Sequence, residues 1–246
     1  MNSTRFGQFI FIQFAALLPL FLANQALCLA DDHTPKPAKE KVVDAPKSKP
    51  DSAAWKKLNG SWVVSQFGGD GPVEIKDDLI TFGFGDPMTG IRWEGDLKTD
   101  SYEVELEARR TDGFDFFCGL TFPVAKNQAS FILGGWGGGI VGISSIDGHD
   151  ASENETTSFR NFDNDRWYKV RVRVDSFQIQ CWIDDKLACD VPRADREFDI
   201  RYEMDQCVPL GIASFQCKSE LRNLRLRELS KKEVAEAKKM SDEAKK

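Results

Sequence analysis

The sequence predicts an all-β fold in which two antiparallel sheets pack as a sandwich or jelly roll. Three observations carry that prediction. From Trp167 to Val191, in WYKVRVRVDSFQIQCWIDDKLACDV, Val170, Val172 and Val174 alternate with Lys169, Arg171 and Arg173, the period of two of a strand with one wet face. Asp175-Ser176 and Asp184-Asp185 break that run into three strands, a meander that buries its valines only against a facing sheet. Short runs of the same kind recur between turn residues through the rest of the domain, with no convincing helix among them.

Residues 1–30 read as a secretory signal peptide. Arg5 is the only charged side chain before Asp31, Phe9 to Leu22 is apolar apart from Gln13 and Pro19, and Cys28-Leu29-Ala30 offers small residues for cleavage. The run is short for a bilayer span, and Leu27 argues against lipidation at Cys28. Cleavage moves the formal charge from −6 to −7. An acidic chain with scattered basic residues argues against nucleic acid as a partner. Residues 31–52 are rich in Pro and Lys and lack aromatics, as expected of a disordered linker. A secreted, periplasmic or envelope location follows, with no membrane span after cleavage.

The domain proper is expected over 53–229, a length of about 175 residues that suits one core. Trp62 to Phe67 is its first strand. Val73 to Lys76 and Leu79 to Phe84 form a hairpin around Asp77-Asp78, and Ile91 to Glu94 is a short edge. Tyr102 to Arg110 sends Val104, Leu106 and Ala108 one way and Glu103, Glu105 and Glu107 the other. In Phe114 to Phe122, five apolar residues in register (Phe114, Phe116, Cys118, Leu120, Phe122) define a core face, which leaves Asp115, Phe117, Gly119 and Thr121 outward. Ser130 to Leu133 and Ile140 to Ile143 flank the glycine-rich GGWGGG. Val208 to Phe215 and Leu221 to Leu229 complete the strands. Residues 230–246 form a polar helix opened by the capping box Ser230–Glu233, and its thin stripe of Val234, Ala237 and Ala244 points to a solvated tail.

Five cysteines follow the leader: Cys118, Cys181, Cys189, Cys207 and Cys217. Counting around the Asp184-Asp185 turn sets Cys181 opposite Ala188 and Cys189 on the other face, which disfavours a bridge between them and leaves buried free thiols as the alternative. Without a CxxC motif, and with His149 the one histidine of the domain, a classical zinc site is not expected.

The segments SYEVELEARR, FDFFCGLTF, DRWYKVRVRVDSFQIQCWIDDKLACDV and PLGIASFQCKSELRNLRLREL, in that order, resemble the concanavalin A-like jelly rolls. Within them the chain is similar to the bacterial 3-keto-disaccharide hydrolase domain family, also described as 3-keto-glucoside lyases and hydratases, over about Trp62 to Leu229. The resemblance implies an exported carbohydrate-active domain. It also implies chemistry in which a ketone at sugar C3 acidifies the C2 proton, so that a base drives loss of the C1 substituent. Such chemistry needs a base and a metal, Arg or Lys to hold the enolate oxygen. Asp115, Asp147, His149 and the Glu103 row are the candidate bases, with Arg109 or a divalent metal as electrostatic partner. The matching segments bear the fold, and the chain departs from the family in its Phe-rich strand and GGWGGGIVGISSIDG, so no family catalytic residue maps onto it.

Each constellation has a plainer reading beside it. The Glu103, Glu105 and Glu107 carboxylates, about 7 Å apart along one strand face, can serve as acid and base. Equally, they can pair with Lys169, Arg171 and Arg173 on the adjacent strand. Trp136 among its glycines suits a sugar platform, with Phe117 stacking the same ring and Asp115 accepting hydroxyl protons, or else the tryptophan and Phe117 are covered by loops. Asp147, Asp150, Glu153 and Asn154 form an oxygen-rich loop suited to Ca²⁺ or simply to solvent, and Asn154-Glu155-Thr156 is a glycosylation sequon. GISSI is not a nucleophile elbow, which removes a Ser-His-Asp reading. Three functions remain: an enzyme acting on keto-glycosides, a non-catalytic lectin-like module and a structural envelope protein.

Overall fold

The computed structural model describes residues 54–244, so the expected leader (1–30) and linker (31–52) lie outside the described residues. In chain order the strands are β1 (Lys56–Lys57), β2 (Trp62–Val64), β3 (Val73–Lys76), β4 (Leu79–Phe82) and β5 (Met88–Trp93). They continue with β6 (Tyr102–Gly113), β7 (Cys118–Val124), β8 (Asn127–Gly134), β9 (Ile140–Ser144) and β10 (Ser158–Phe159). The last five are β11 (Tyr168–Val174), β12 (Gln178–Ile183), β13 (Lys186–Pro192), β14 (Gly211–Phe215) and β15 (Cys217–Glu228). A 3₁₀ turn spans Tyr202–Cys207 and a helix spans Lys231–Ala244.

The strands form two antiparallel sheets, as the alternation requires. One runs β13-β12-β11-β6-β15-β4-β3, with β1 also on β15; the other runs β10-β9-β8-β7-β14-β5-β2. The inner faces meet in one continuous core that includes Phe82, Tyr102, Leu106, Leu120, Phe131, Val172 and Ile212. Ile91 to Glu94 is not an edge: β5 lies between β14 and β2 and buries Ile91 and Trp93.

The meander forms as expected, and its charged stripe meets the glutamate stripe. Glu103, Glu105 and Glu107 stand opposite Arg173, Arg171 and Lys169 in register. A third row, hidden from simple alternation, flanks the glutamates on β15. Arg222 pairs with Glu107, Arg225 with Glu105, and Arg227 with Glu103 at 2.7 Å. Arg222 and Arg225 are three apart and would face opposite ways, but a bulge between them, with Asn223 at φ 56°, restores them to one face. The glutamate row is thus a structural ion network, with Glu103 only 1 % exposed.

The C-terminal helix is anchored over its first turns rather than wholly solvated. Ser230 N–H donates to Glu233 Oε2 at 2.8 Å and Glu233 N–H to Ser230 Oγ at 3.2 Å, a closed capping box. Arg227 grips the same carboxylate, and Ala237 is buried. Burial works against the Glu233 carboxylate, yet hydrogen bonds from Arg227 and Ser230 outweigh it and hold its pKa at about 2, below the usual 4.5. A depressed folded-state pKa gives stability that is present above pH 4.5 and lost as the pH falls toward 2. Glu233→Gln should therefore be less stable than the parent at pH 6 and show a shallower loss of stability across that acid window in urea titrations; parallel curves would contradict this.

Candidate functional site

A cleft of about 270 Å³ lies over the outer face of the β7–β8–β9 side of the second sheet. Its floor comes from the sheet itself. Thr121, Ser130 and Ser144 stand in one cross-strand row, Thr121 opposite Ser130 and Ser130 opposite Ser144, and all three are buried. The Thr121 and Ser130 hydroxyls hydrogen-bond at 2.8 Å, so the row is satisfied without outside partners. Gly119 lets two of the walls close over the sheet, since a Cβ there would stand 3.1 Å from Phe116 and 3.3 Å from Met204. Ile132, Met88, Phe116, Met204 and Phe215 give apolar walls, while Asp115, Trp136, Arg201 and Glu203 complete the lining.

The sequence builds the Trp136 wall with a left-handed loop. Gly134, Trp136, Gly137 and Gly138 all have positive φ, at 78°, 49°, 86° and 104°. At Gly138 a Cβ would fall 2.4 Å from the Phe114 carbonyl oxygen, so no other residue fits without displacing the chain. Asp115 clamps the arrangement: Oδ1 accepts the Phe116 N–H at 2.7 Å and Oδ2 accepts the Gly137 N–H at 2.9 Å. Trp136 is left 43 % exposed beside the cleft.

The same clamp explains a correction to the expected strand. The chain bends at Asp115, so β7 starts only at Cys118 and the alternation slips by one residue. Phe117 therefore turns inward, is 0 % exposed, and packs edge-on against Phe162 at 5.1 Å, out of reach of any surface ligand. Phe116 takes its place on the outer side and lines the cleft. Phe114 is not core either, at 62 % exposure. Asp115 and Trp136 are at the cleft, as expected, whereas Phe117 is not.

Arg109 is also elsewhere. It sits on β6 of the other sheet, bonded to Glu220 at 2.7 Å and stacked 4.7 Å over Trp167. Asp147 does not line the cleft; it accepts the Glu197 N–H at 2.8 Å and pairs with Arg196 at 2.6 Å, and the backbone bond leads in holding its carboxyl below the usual range. His149 is exposed, and its backbone pairs with Ile146. Asp147 thus ties its loop to the 196–199 segment, and the three residues do not converge on one site.

Sequence reasoning missed Arg201 and Glu203 in the lining, and it read Asp150 only as part of an oxygen-rich loop, whereas Asp150 supports two lining residues. It accepts from Ser144 Oγ at 3.1 Å and pairs with Arg201, which also pairs with Glu203 at 2.8 Å. The Arg201 hydrogen bond holds the Glu203 carboxyl below its usual range, and Glu203 in turn raises the Arg201 pKa. Sequence offered one signal for this cluster, the REFDIRYEMDQC stretch with its charges beside Met204, but its partners lie 51 residues away. Asn154 donates to the Ile143, His149 and Asp150 carbonyls, so its amide is engaged within the fold instead of presented as a glycan acceptor. Among the described residues, no group of three or more His, Cys, Asp or Glu side chains is arranged to hold a metal ion.

Two-sheet jelly roll with a ligand-sized cleft on an outer sheet face is the class that this fold and site define. No family model and no curated relative matches the chain. Among solved structures it is similar to the carbohydrate-binding module CBM66 from Bacillus subtilis, at 13 % identity over 72 % of this chain and 98 % of that one, with a TM-score of 0.40. It is also similar to domain 4 of AbnA, an extracellular arabinanase from Geobacillus stearothermophilus in complex with arabinotriose (13 % identity, 72 % and 87 % covered, TM-score 0.44). A third is the alginate lyase AlgAT5 of polysaccharide lyase family 7 (10 % identity, 69 % and 95 % covered, TM-score 0.45).

Proposed function

We propose that the chain is an exported glycan-binding domain whose ligand sits in the cleft between Trp136 and Phe116, over the Ser130–Ser144 floor. One observation carries this reading. A half-exposed tryptophan, rigidly held by a left-handed loop, stands beside a concave floor of hydroxyls and small residues. An aromatic face takes the axial hydrogens of a sugar ring, and the polar groups around it fix orientation. Both carboxylates of the cleft are already engaged, Asp115 by two backbone N–H groups and Glu203 by Arg201, which favours binding over acid–base work. A purely structural spacer needs no such cleft.

The test is calorimetric binding of a panel of neutral and acidic oligosaccharides to the parent and to Trp136→Ala. A parent that binds and a variant weakened at least about tenfold support the site; equal binding by both removes it, and no binding by the parent removes the reading itself.

The second reading is cleavage of 3-keto-glycosides, which the family resemblance implies. The observation in its favour is that Asp115, Glu203 and Arg201 line one cleft, supplying candidate bases and a cation for an enolate oxygen. Product release from a 3-keto-glucoside, assayed with and without chelator, separates this reading from binding alone.

A further inference from the structure

The structure assigns Cys181 and Cys189 to a covalent site that counting residues disfavours: we propose that they close a disulfide across the β12–β13 hairpin in the exported protein. A bulge at Cys181/Trp182 reverses the expected register. Trp182 pairs with Leu187 and Ile183 with Lys186, but Cys181 stands directly opposite Cys189, with Ala188 as the extra residue. Both cysteines consequently face the core, 0 % and 3 % exposed.

Directly opposed residues on antiparallel strands carry Cβ atoms about 4.5–5.5 Å apart, against about 3.5–4.5 Å in a disulfide, so a small closure of the ladder suffices. The two thiols are neighbours here: burial pushes the Cys181 thiol up, and the adjacent Cys189 thiol adds to the rise. Among the described residues, the remaining cysteines have no such cross-strand partner. Cys118 stands opposite Leu133, Cys217 opposite Gly113, and Cys207 ends the 3₁₀ turn. All five are free thiols in this structure.

The step needs a disulfide-bearing oxidant, such as a disulfide oxidoreductase or oxidised glutathione. One cysteine thiolate attacks the oxidant and expels a thiolate; the second cysteine attacks the mixed disulfide and expels the other. Two cysteine thiols lose two electrons and two protons, and the oxidant becomes two thiols. Access is not an obstacle, because the hairpin is local in sequence and forms before a facing sheet can cover it. The proposal rests on the export expected from residues 1–30 and is independent of the ligand.

The full chain is refolded with oxidised and reduced glutathione, denatured, alkylated without reductant and mapped by peptide mass spectrometry. The expected result is a cross-linked pair of peptides bearing Cys181 and Cys189, with Cys118, Cys207 and Cys217 alkylated. Reduction should lower Tm by about 5–10 °C, and Cys181→Ser should leave Cys189 alkylated and abolish that sensitivity to reductant. Recovery of both Cys181 and Cys189 in alkylated form from oxidised protein overturns the assignment, as does a bridge to any of the other three. The parent map decides the matter even if the variant does not fold.

Discussion

Arg227→Met should lower the free energy of unfolding by about 3 kcal/mol at neutral pH, the cost of leaving a buried charge without its partner. Arg227 holds Glu103 at 2.7 Å on one side and Glu233 at 2.8 Å on the other, and its own side chain is 8 % exposed. Without it, Glu103 retains only Arg171 and Arg173, at 3.9 and 3.8 Å, beyond good hydrogen-bonding distance. The effect should be specific to the unpaired carboxylate. Glu103→Met combined with Arg227→Met should recover part of the loss, because it removes the more buried of the two carboxylates left without Arg227 while Glu233 stays unpaired from it. Urea denaturation of the three variants is the measurement. A single variant within about 0.5 kcal/mol of the parent would show that the neighbouring arginines suffice.

Asp115→Asn should weaken ligand binding about as much as Trp136→Ala does, on the order of tenfold, although the substitution is nearly isosteric. Each Asp115 oxygen accepts one backbone N–H, from Phe116 and from Gly137. An asparagine offers a single acceptor and turns an NH₂ toward the other N–H, so one end of the clamp is lost. The loop that holds Trp136 at φ 49° then loses one of its ties. The same variant discriminates between the two functional readings. Were Asp115 a catalytic base, its loss would abolish turnover of a 3-keto-glucoside and leave substrate affinity intact; as a clamp, it reduces affinity first.

The fold was readable because its signal is local and repeated. The three meander strands, the β3–β4 hairpin and the pairing of the Glu103 row with the Lys169 row all follow from alternation alone, and the structure has all but the β12–β13 turn in the expected register. What alternation cannot see is a change of phase. Among the described residues, three such changes bear on the chemistry, at the Asp115 bend, at Ala188 and at Asn223, beside a further one at Lys218/Ser219. Each moves chemistry to a different face. The first exchanges Phe116 for Phe117 at the cleft, the second brings two cysteines together, and the third completes the arginine row on Glu103. The site was half readable for a related reason. Asp115 and Trp136 stand out locally by residue type beside glycine, whereas Arg201 and Asp150 acquire meaning only from their contact across the fold.

The strand order has a consequence for how the chain must come into being. In one sheet β4 and β3 join the remainder only through β15; in the other, β5 and β2 join only through β14. The early pairs β3–β4 and β2–β5 thus have only each other until residues 211–228 supply the strands that join them to their sheets. A sandwich closed by its last two strands cannot assemble piecemeal from the N-terminus, and such distant pairings make its folding slow. Neither sheet can take in its N-terminal pair of strands before β14 and β15 have been made.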